Sequence, residues 1–128
     1  MHKLKLFFAP GACSRIPLIA LEKIGVPFET ELVAFMKGDH KSPQFTKLNP
    51  SGKIPVLMVG DVALSQNVSI LTWLHEAFPD AGLLPDADTP LQKAQCLSLL
   101  ARFSADLHPL VTRIRIPHFF CDIEGAPN

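Results

Sequence analysis

The sequence contains no tyrosine, no CxxC pair and no long apolar run, and its 12 basic residues balance 12 acidic ones. Without tyrosine, any chemistry that elsewhere relies on a phenolic hydroxyl must use another group. No run approaches the roughly 20 apolar residues that cross a bilayer, and the apolar stretch near the N-terminus is too short for a secretory signal. The charge balance gives no electrostatic reason to expect nucleic acid or an anionic membrane. We therefore expect a cytoplasmic protein with neither as a partner.

The cysteines are three in number and widely spaced, at Cys13, Cys96 and Cys121. Their spacing fits no metal site, and an odd number excludes complete pairing within the chain. We expect no metal and no disulfide scaffold, and we interpret Cys96 and Cys121 as apolar filler. Cys13 differs because it follows Pro10-Gly11 and begins a helix, where amide groups and the helix dipole lower the pKa of a thiol below about 8.5. The alternative for Cys13 is a buried, inert thiol.

The first part of the chain has the pattern of a βαβ unit. A strand is predicted over 3–8, a helix over 14–24 and a second strand over 27–35, so the two strands should be parallel and adjacent. The residues expected to face the core are those at positions 16, 19, 20 and 24 on the helix, and Phe28, Leu32 and Ala34 on the second strand.

After a polar segment with one helical turn at 43–46, two short apolar runs over 56–59 and 62–64 are joined by Gly60-Asp61, a hairpin turn. The next helix has Asn67 as its expected N-cap and ends at Phe78, before a proline. These elements predict an α/β domain over 1–80 with a mixed four-stranded sheet. A linker is expected over 81–90, and a helical part over 91–128 begins with one long amphipathic helix, kinked at Pro109.

Pro55 stands directly before an apolar run, although proline is normally excluded from strand interiors. It is therefore a candidate for a cis bond, with a trans proline on an edge strand as the alternative. A cis Ile54–Pro55 bond would turn the main-chain groups of Ile54 outward, toward an extended, peptide-like ligand.

Three segments of the chain, 9–14, 37–45 and 48–57, resemble the N-terminal half of glutathione transferases. The first segment and His108 are similar to the bacterial beta class, and the other two are similar to theta-like members. The resemblance covers roughly residues 1–115. It implies a thioredoxin-like glutathione-binding domain followed by the start of an all-α domain, in a homodimer. A family member would carry several more helices, so the chain resembles a truncated transferase.

The resemblance also implies roles for individual residues. Those expected to hold glutathione, from its glycine end to its γ-glutamyl end, are His40, Lys53, Ile54, Pro55, Gln66 and Asn67. Cys13 and Ser14 would lie beside its sulfur, although Ser14 could instead only cap the helix. His108 would accept the thiol proton, although alone it could be an ordinary, partly buried histidine. The family usually has Glu or Gln followed by Ser where this chain has Gln66-Asn67, so weaker binding is expected.

Two functions follow as expectations. The first is a glutathione transferase that uses glutathione as co-substrate and no metal, and that conjugates it to a small electrophile or exchanges disulfides. The second is a non-catalytic module of the same fold that binds or dimerises. The altered pair at 66–67 and the uncovered apolar face of the long helix favour the second.

Overall fold

The computed structural model describes residues 2–117 and 120, and the chain divides into two compact units, Met1–Leu84 and Pro85–Asn128. The division falls within the stretch predicted as a linker. Cys121, which the sequence analysis interpreted as apolar filler, lies outside the described residues.

The first unit is built on a four-stranded sheet of order β2-β1-β3-β4. Its strands are β1 (Leu4–Phe8), β2 (Glu29–Leu32), β3 (Val56–Val59) and β4 (Val62–Ser65). β1 and β2 are parallel, and the other two pairs are antiparallel, so the sheet is mixed as predicted. Its helices are α1 (Arg15–Ile24), α2 (Pro43–Leu48) and α3 (Asn67–Ala77), with short 3₁₀ turns at Phe35–Lys37, Asp39–Lys41 and Pro79–Ala81.

Two apolar clusters lie on the unit's sheet, because neighbouring side chains of a strand point to opposite faces. The α1/α3 core consists of Leu4, Leu6, Ala20, Leu21, Leu57, Val59, Ile70 and Leu74. The α2 core is smaller and consists of Phe7, Ala9, Val33, Phe45, Ile54 and Val56. Leu6 and Phe7 therefore belong to different cores although they are adjacent in the chain.

The predicted inner face of α1 is wrong at two of its positions. Ile16 and Ile19 are 47% and 60% exposed, whereas Pro17, Ala20 and Leu21 are buried. The segment 16–21 is apolar almost all round, so two stripes satisfy the helical period. Periodicity alone could not tell which of the two stripes meets the sheet.

The second strand is shorter than predicted, and Leu32 is not a core residue. All four residues of β2 are exposed, Leu32 by 53%, and Val33 just beyond the strand is buried instead. β2 lies at the edge of the sheet, and edge strands are covered poorly at their outer side. Val33 shares the face of Glu31 and continues the pairing, since its N–H donates to the carbonyl of Phe8 at 2.8 Å.

The second unit contains one long helical run rather than one regular helix. α4 (Pro90–Arg102) passes through a π turn (Phe103–Leu107) into α5 (His108–Arg115). The π turn ends two residues before Pro109, which has no N–H to donate to that turn, and this missing donor is a physical cause for the irregular geometry. Neither α4 nor α5 has a buried residue. Among the helices of the described part of the chain, none has the length and apolar character needed to cross a membrane.

Candidate active site

A tight turn connects β1 to α1 and carries Cys13. Gly11 takes a left-handed φ of 70° in it. Ser14 is completely buried, and its hydroxyl accepts from the N–H of Ala9 at 3.0 Å and donates to the carbonyl of Ala9 at 3.1 Å. Ser14 occupies the N-cap position of α1 but makes no side-chain cap, so that alternative is wrong. Its one hydroxyl proton is committed to Ala9, and its role in this structure is to close the turn.

The thiol of Cys13 reaches across to the loop before β3. Its Sγ donates to the carbonyl of Ile54 at 3.5 Å. Burial raises the pKa of the Cys13 thiol, and it outweighs the opposing effect of the main-chain N–H groups of Cys13 and Ser14. The expectation of a lowered pKa is therefore wrong for this structure, because the thiol is too far out of water for the nearby amides to compensate.

The loop before β3 is held by Asn49, a residue that the sequence analysis did not single out. Asn49 is 7% exposed; its Nδ2 donates to the carbonyl of Lys53 at 2.8 Å, and its Oδ1 accepts from the N–H and the hydroxyl of Ser51. An asparagine side chain that hydrogen-bonds to the main chain two residues later is typical of such turns, and this pattern is the signal that could have identified Asn49.

The peptide bond between Ile54 and Pro55 is cis, the isomer expected at this position.

The start of α3 differs from its prediction by one residue. Gln66 is the N-cap, and Asn67 is the first helical residue, so the expectation of Asn67 as N-cap is wrong. Gln66 has φ 72° and ψ 129°, and within the described chain it is the only non-glycine residue with a positive φ. Such a conformation is strained and is found preferentially at functional sites.

Asn67 makes the contact that joins this helix to the Cys13 turn. Its Nδ2 donates to the carbonyl of Cys13 at 3.2 Å, across 54 positions of sequence. Its Oδ1 is buried and has no hydrogen-bond partner in the described structure. Ile54 and Asn67, which the resemblance assigned to one site with Cys13, thus each form a hydrogen bond with Cys13.

Two other predicted site residues lie beside this group. The ring of His40 packs on that of Phe35, with centroids 4.7 Å apart, and its Nδ1 is buried without a partner among the described residues. A Cβ on Gly52 would lie only 3.0 Å from the carbonyl oxygen of His40, so these two loops pass closely. Lys53 directly precedes Ile54, and its side chain is exposed.

His108 belongs to the second unit, where its side chain is exposed and its carbonyl accepts from the hydroxyl of Thr112. In the part of the chain that the structure describes, no hydrogen bond holds the His108 ring. A group of three or more side chains suited to hold a metal ion does not occur among residues 2–117 and 120.

A cavity of the first unit lies away from the site that the sequence indicates. It has a volume of about 500 Å³ and lies between β2 and α2, lined by Phe7, Glu31, Leu32, Val33, Asp39, Ser42, Gln44, Phe45 and Leu48. None of the predicted site residues lines it. The contacts of Cys13, and not this cavity, therefore define the candidate site.

Known proteins resemble the chain in both sequence and structure. A glutathione S-transferase from Xanthomonas campestris is 39% identical over 83% of this chain and 50% of its own length. A maleylpyruvate isomerase from a Ralstonia species is 37% identical over 97% of this chain and 57% of its own length. The structure of a glutathione transferase homolog from Sulfitobacter with bound glutathione superimposes with a TM-score of 0.82 at 26% identity, over 97% of this chain and 59% of that one.

The chain thus spans about half the length of the curated relatives it matches. The family model for the N-terminal domain of glutathione S-transferases matches residues 11–77, a span that contains the Cys13 turn, the Ile54 loop and the start of α3. The chain belongs to the glutathione S-transferase family.

Proposed function

We propose that the chain binds glutathione on its first unit and activates the glutathione thiol for transfer to a small electrophile. The observation that carries this proposal is the convergence of two distant segments on Cys13. Its thiol meets the carbonyl of Ile54, and its own carbonyl meets the amide of Asn67. Family membership indicates glutathione as the ligand, and this convergence supports a position for its sulfur beside Cys13.

A bound tripeptide would compete with Cys13 for Ile54. The ladder of β3 begins at Val56, so the main chain of Ile54 precedes it and can pair with an added extended chain. A cysteinyl N–H that donates to the carbonyl of Ile54 would displace the Cys13 thiol, which could then donate to the ligand's sulfur. We place His40 and Lys53 near the glycine end of glutathione, and Pro55 beside its cysteinyl part. Gln66 and Asn67 would lie at its γ-glutamyl end.

Cys13 acts in this proposal mainly as a hydrogen-bond donor. Burial raises its pKa, so at neutral pH the residue is a thiol and can stabilise a glutathione thiolate. Disulfide exchange is the slower variant, since it needs the thiolate of Cys13. That thiolate would attack one sulfur of glutathione disulfide, a Cys13–glutathione disulfide would form, and a glutathione thiolate would leave. In the transfer reaction, His108 is the proposed acceptor of the proton from the glutathione thiol.

A second reaction at the same sulfur is favoured by one comparison. The relative that covers 97% of this chain is a maleylpyruvate isomerase. A thiolate that adds to one carbon of a cis double bond allows rotation about the resulting single bond, and its elimination returns the trans isomer and free glutathione. This reaction needs the same bound thiolate and no other reactant.

The proposal extends to a cytoplasmic homodimer. Cys13 and Cys96 are both free thiols, as is usual in a reducing compartment. The second unit exposes several large apolar side chains, and such surfaces are typical of association: Leu97, Leu99, Phe103, Leu107, Leu110, Val111 and Ile114. The same exposure supports the non-catalytic binding module, which differs from the enzyme only in having no turnover.

Calorimetric titration with glutathione, followed by conjugation assays with an aryl halide and isomerisation assays with maleylpyruvate, tests the proposal. We expect saturable heat at millimolar glutathione. Binding should be retained in Cys13→Ala and weakened at least about threefold in Asn49→Ala, because the loop that presents Ile54 loses its support. Val62→Ala is the matched control, since Val62 is 61% exposed at the far edge of the sheet.

Each outcome separates the alternatives. No heat at millimolar glutathione would retire the binding proposal and with it the enzyme. Heat without turnover of either substrate would identify the binding module. His108→Ala should lower the rate and leave the dissociation constant unchanged, and an unchanged rate would remove His108 from the reaction.

A further inference from the structure

Asn67 joins the start of α3 to the turn that carries Cys13. Its side-chain Nδ2 donates to the carbonyl of Cys13 at 3.2 Å. The same carbonyl accepts from the N–H of Ile16 at 3.1 Å, so both of its lone pairs are used.

The contact is not explained by stability alone. The Nδ2 of Asn67 is hydrogen-bonded, whereas its Oδ1 is buried without a partner among the described residues. An unpaired buried acceptor costs free energy that a single new hydrogen bond only offsets. A smaller residue at this position would avoid that cost. What the side chain provides is a fixed distance between the start of α3 and the turn that carries the thiol.

We propose that Asn67 is a positioning residue for Cys13, which links the start of α3 to the thiol of the Cys13 turn. The thiol is held from two sides, by Ile54 through its Sγ and by Asn67 through its main-chain carbonyl. A ligand group seated at the start of α3 therefore acts on the turn through Asn67. This inference rests on the proposed function for its ligand, but the link itself is a property of the free chain.

The experiment measures the alkylation rate of Cys13 against pH in the full chain without glutathione, with each cysteine resolved by mass spectrometry. Asn67→Ala removes the link, the turn loosens and the thiol gains water. Its half-maximal rate should move to lower pH by about half a unit, which is about a threefold faster reaction at neutral pH. Asn67→Asp keeps the size but sets an oxygen against the Cys13 carbonyl and adds a negative charge, which should move the midpoint to higher pH.

Thr72→Ala is the matched control. Thr72 also lies on α3 and is half-buried, and its hydroxyl donates to the main-chain carbonyl of Val68, within its own helix, and not to the Cys13 turn. Its alkylation profile should equal that of the unmodified chain. The reactivity of Cys96, in the second unit, serves as the internal reference in every variant.

The outcomes divide cleanly. Opposite shifts in the two Asn67 variants, with Thr72→Ala and Cys96 unchanged, support the link. Unchanged Cys13 profiles in both Asn67 variants overturn it, as does an equal shift in Thr72→Ala, which would indicate general loosening of α3. None of these results depends on glutathione, so a failure of the proposed function would be seen separately, in the calorimetric titration.

Discussion

The two faces of the sheet in the first unit differ in the elements that supply their buried residues. All eight buried members of the α1/α3 core are apolar, and they come from two helices and two strands. The α2 core has six buried members, and three of them, Ala9, Val33 and Ile54, lie in loops that follow or precede strands. The buried polar residues of the described chain, Ser14 and Asn49, are bonded to Ala9 and to Lys53, next to those loops.

This difference shows where stability and chemistry are separated. The α1/α3 core buries large side chains between regular elements, which is the main source of folding free energy. On the other face, buried hydrogen bonds fix loops whose main-chain groups meet at Cys13. Substitutions on the first face should lower the free energy of unfolding without changing the site. Substitutions near Cys13 should have smaller effects on stability and should change the contacts of the site.

Leu57→Ala should have the largest effect on stability, and a smaller effect would contradict the assignment of most folding free energy to the α1/α3 core. Leu57 is completely buried in the α1/α3 core, and truncation of such a residue costs about 2–5 kcal/mol. Urea unfolding followed by circular dichroism measures the change. Val62→Ala, on an exposed position of the same hairpin, should cost about 0.5 kcal/mol or less. A similar loss in both variants would show that the core is not localised as described.

Ser14→Ala should have an intermediate effect and tests the turn on the other face. The change leaves the buried N–H of Ala9 without its acceptor, which costs about 1–3 kcal/mol. Ser69→Ala, at an exposed position of α3, is the control and should be nearly neutral. If Ser14→Ala preserved stability but abolished glutathione turnover, the hydroxyl would be a catalytic donor, and our structural role for it would be wrong.

The element order of this unit could be predicted from the sequence, because each element has a local signal. The βαβ unit, the Gly60-Asp61 hairpin and the helix before Pro79 follow from periodicity and turn residues. The inner face of α1 could not be predicted, since Ile16 and Pro17 belong to two competing apolar stripes. Leu32 was misplaced because no local signal tells an edge strand from a central one.

The candidate site was predicted as a set of residues, whereas the contacts among them were not predicted. The resemblance implied roles for Cys13, Ile54 and Asn67, and in the structure Ile54 and Asn67 each form a hydrogen bond with Cys13. The sign of the shift in the Cys13 pKa was not predictable, because it depends on burial, which the tertiary structure determines. The one-residue difference at Gln66 depends on a positive φ that sequence patterns do not favour at glutamine.

The smallest effect concerns the pH dependence of stability at Cys13 and sharpens the comparison. Burial raises the pKa of this thiol in the folded chain, so the folded state keeps its proton where the unfolded chain has lost it. The contribution of the thiol is therefore fully present below the ordinary thiol pKa of about 8.5 and decreases as pH rises through the folded-state pKa. Cys13→Ala removes this dependence, while Cys96 and Cys121 are common to both proteins and cancel in the difference.

Urea unfolding under reducing conditions, at steps from about pH 7 to pH 10, measures that difference between the unmodified chain and Cys13→Ala. The stability of the unmodified chain relative to the variant should fall across this range, whereas Leu57→Ala should shift the whole curve without changing its slope. A relative stability that rises with pH would mean that the amides of Cys13 and Ser14 outweigh burial. The pKa of Cys13 would then lie below that of an ordinary thiol, which would favour its role as the attacking sulfur over its role as a donor.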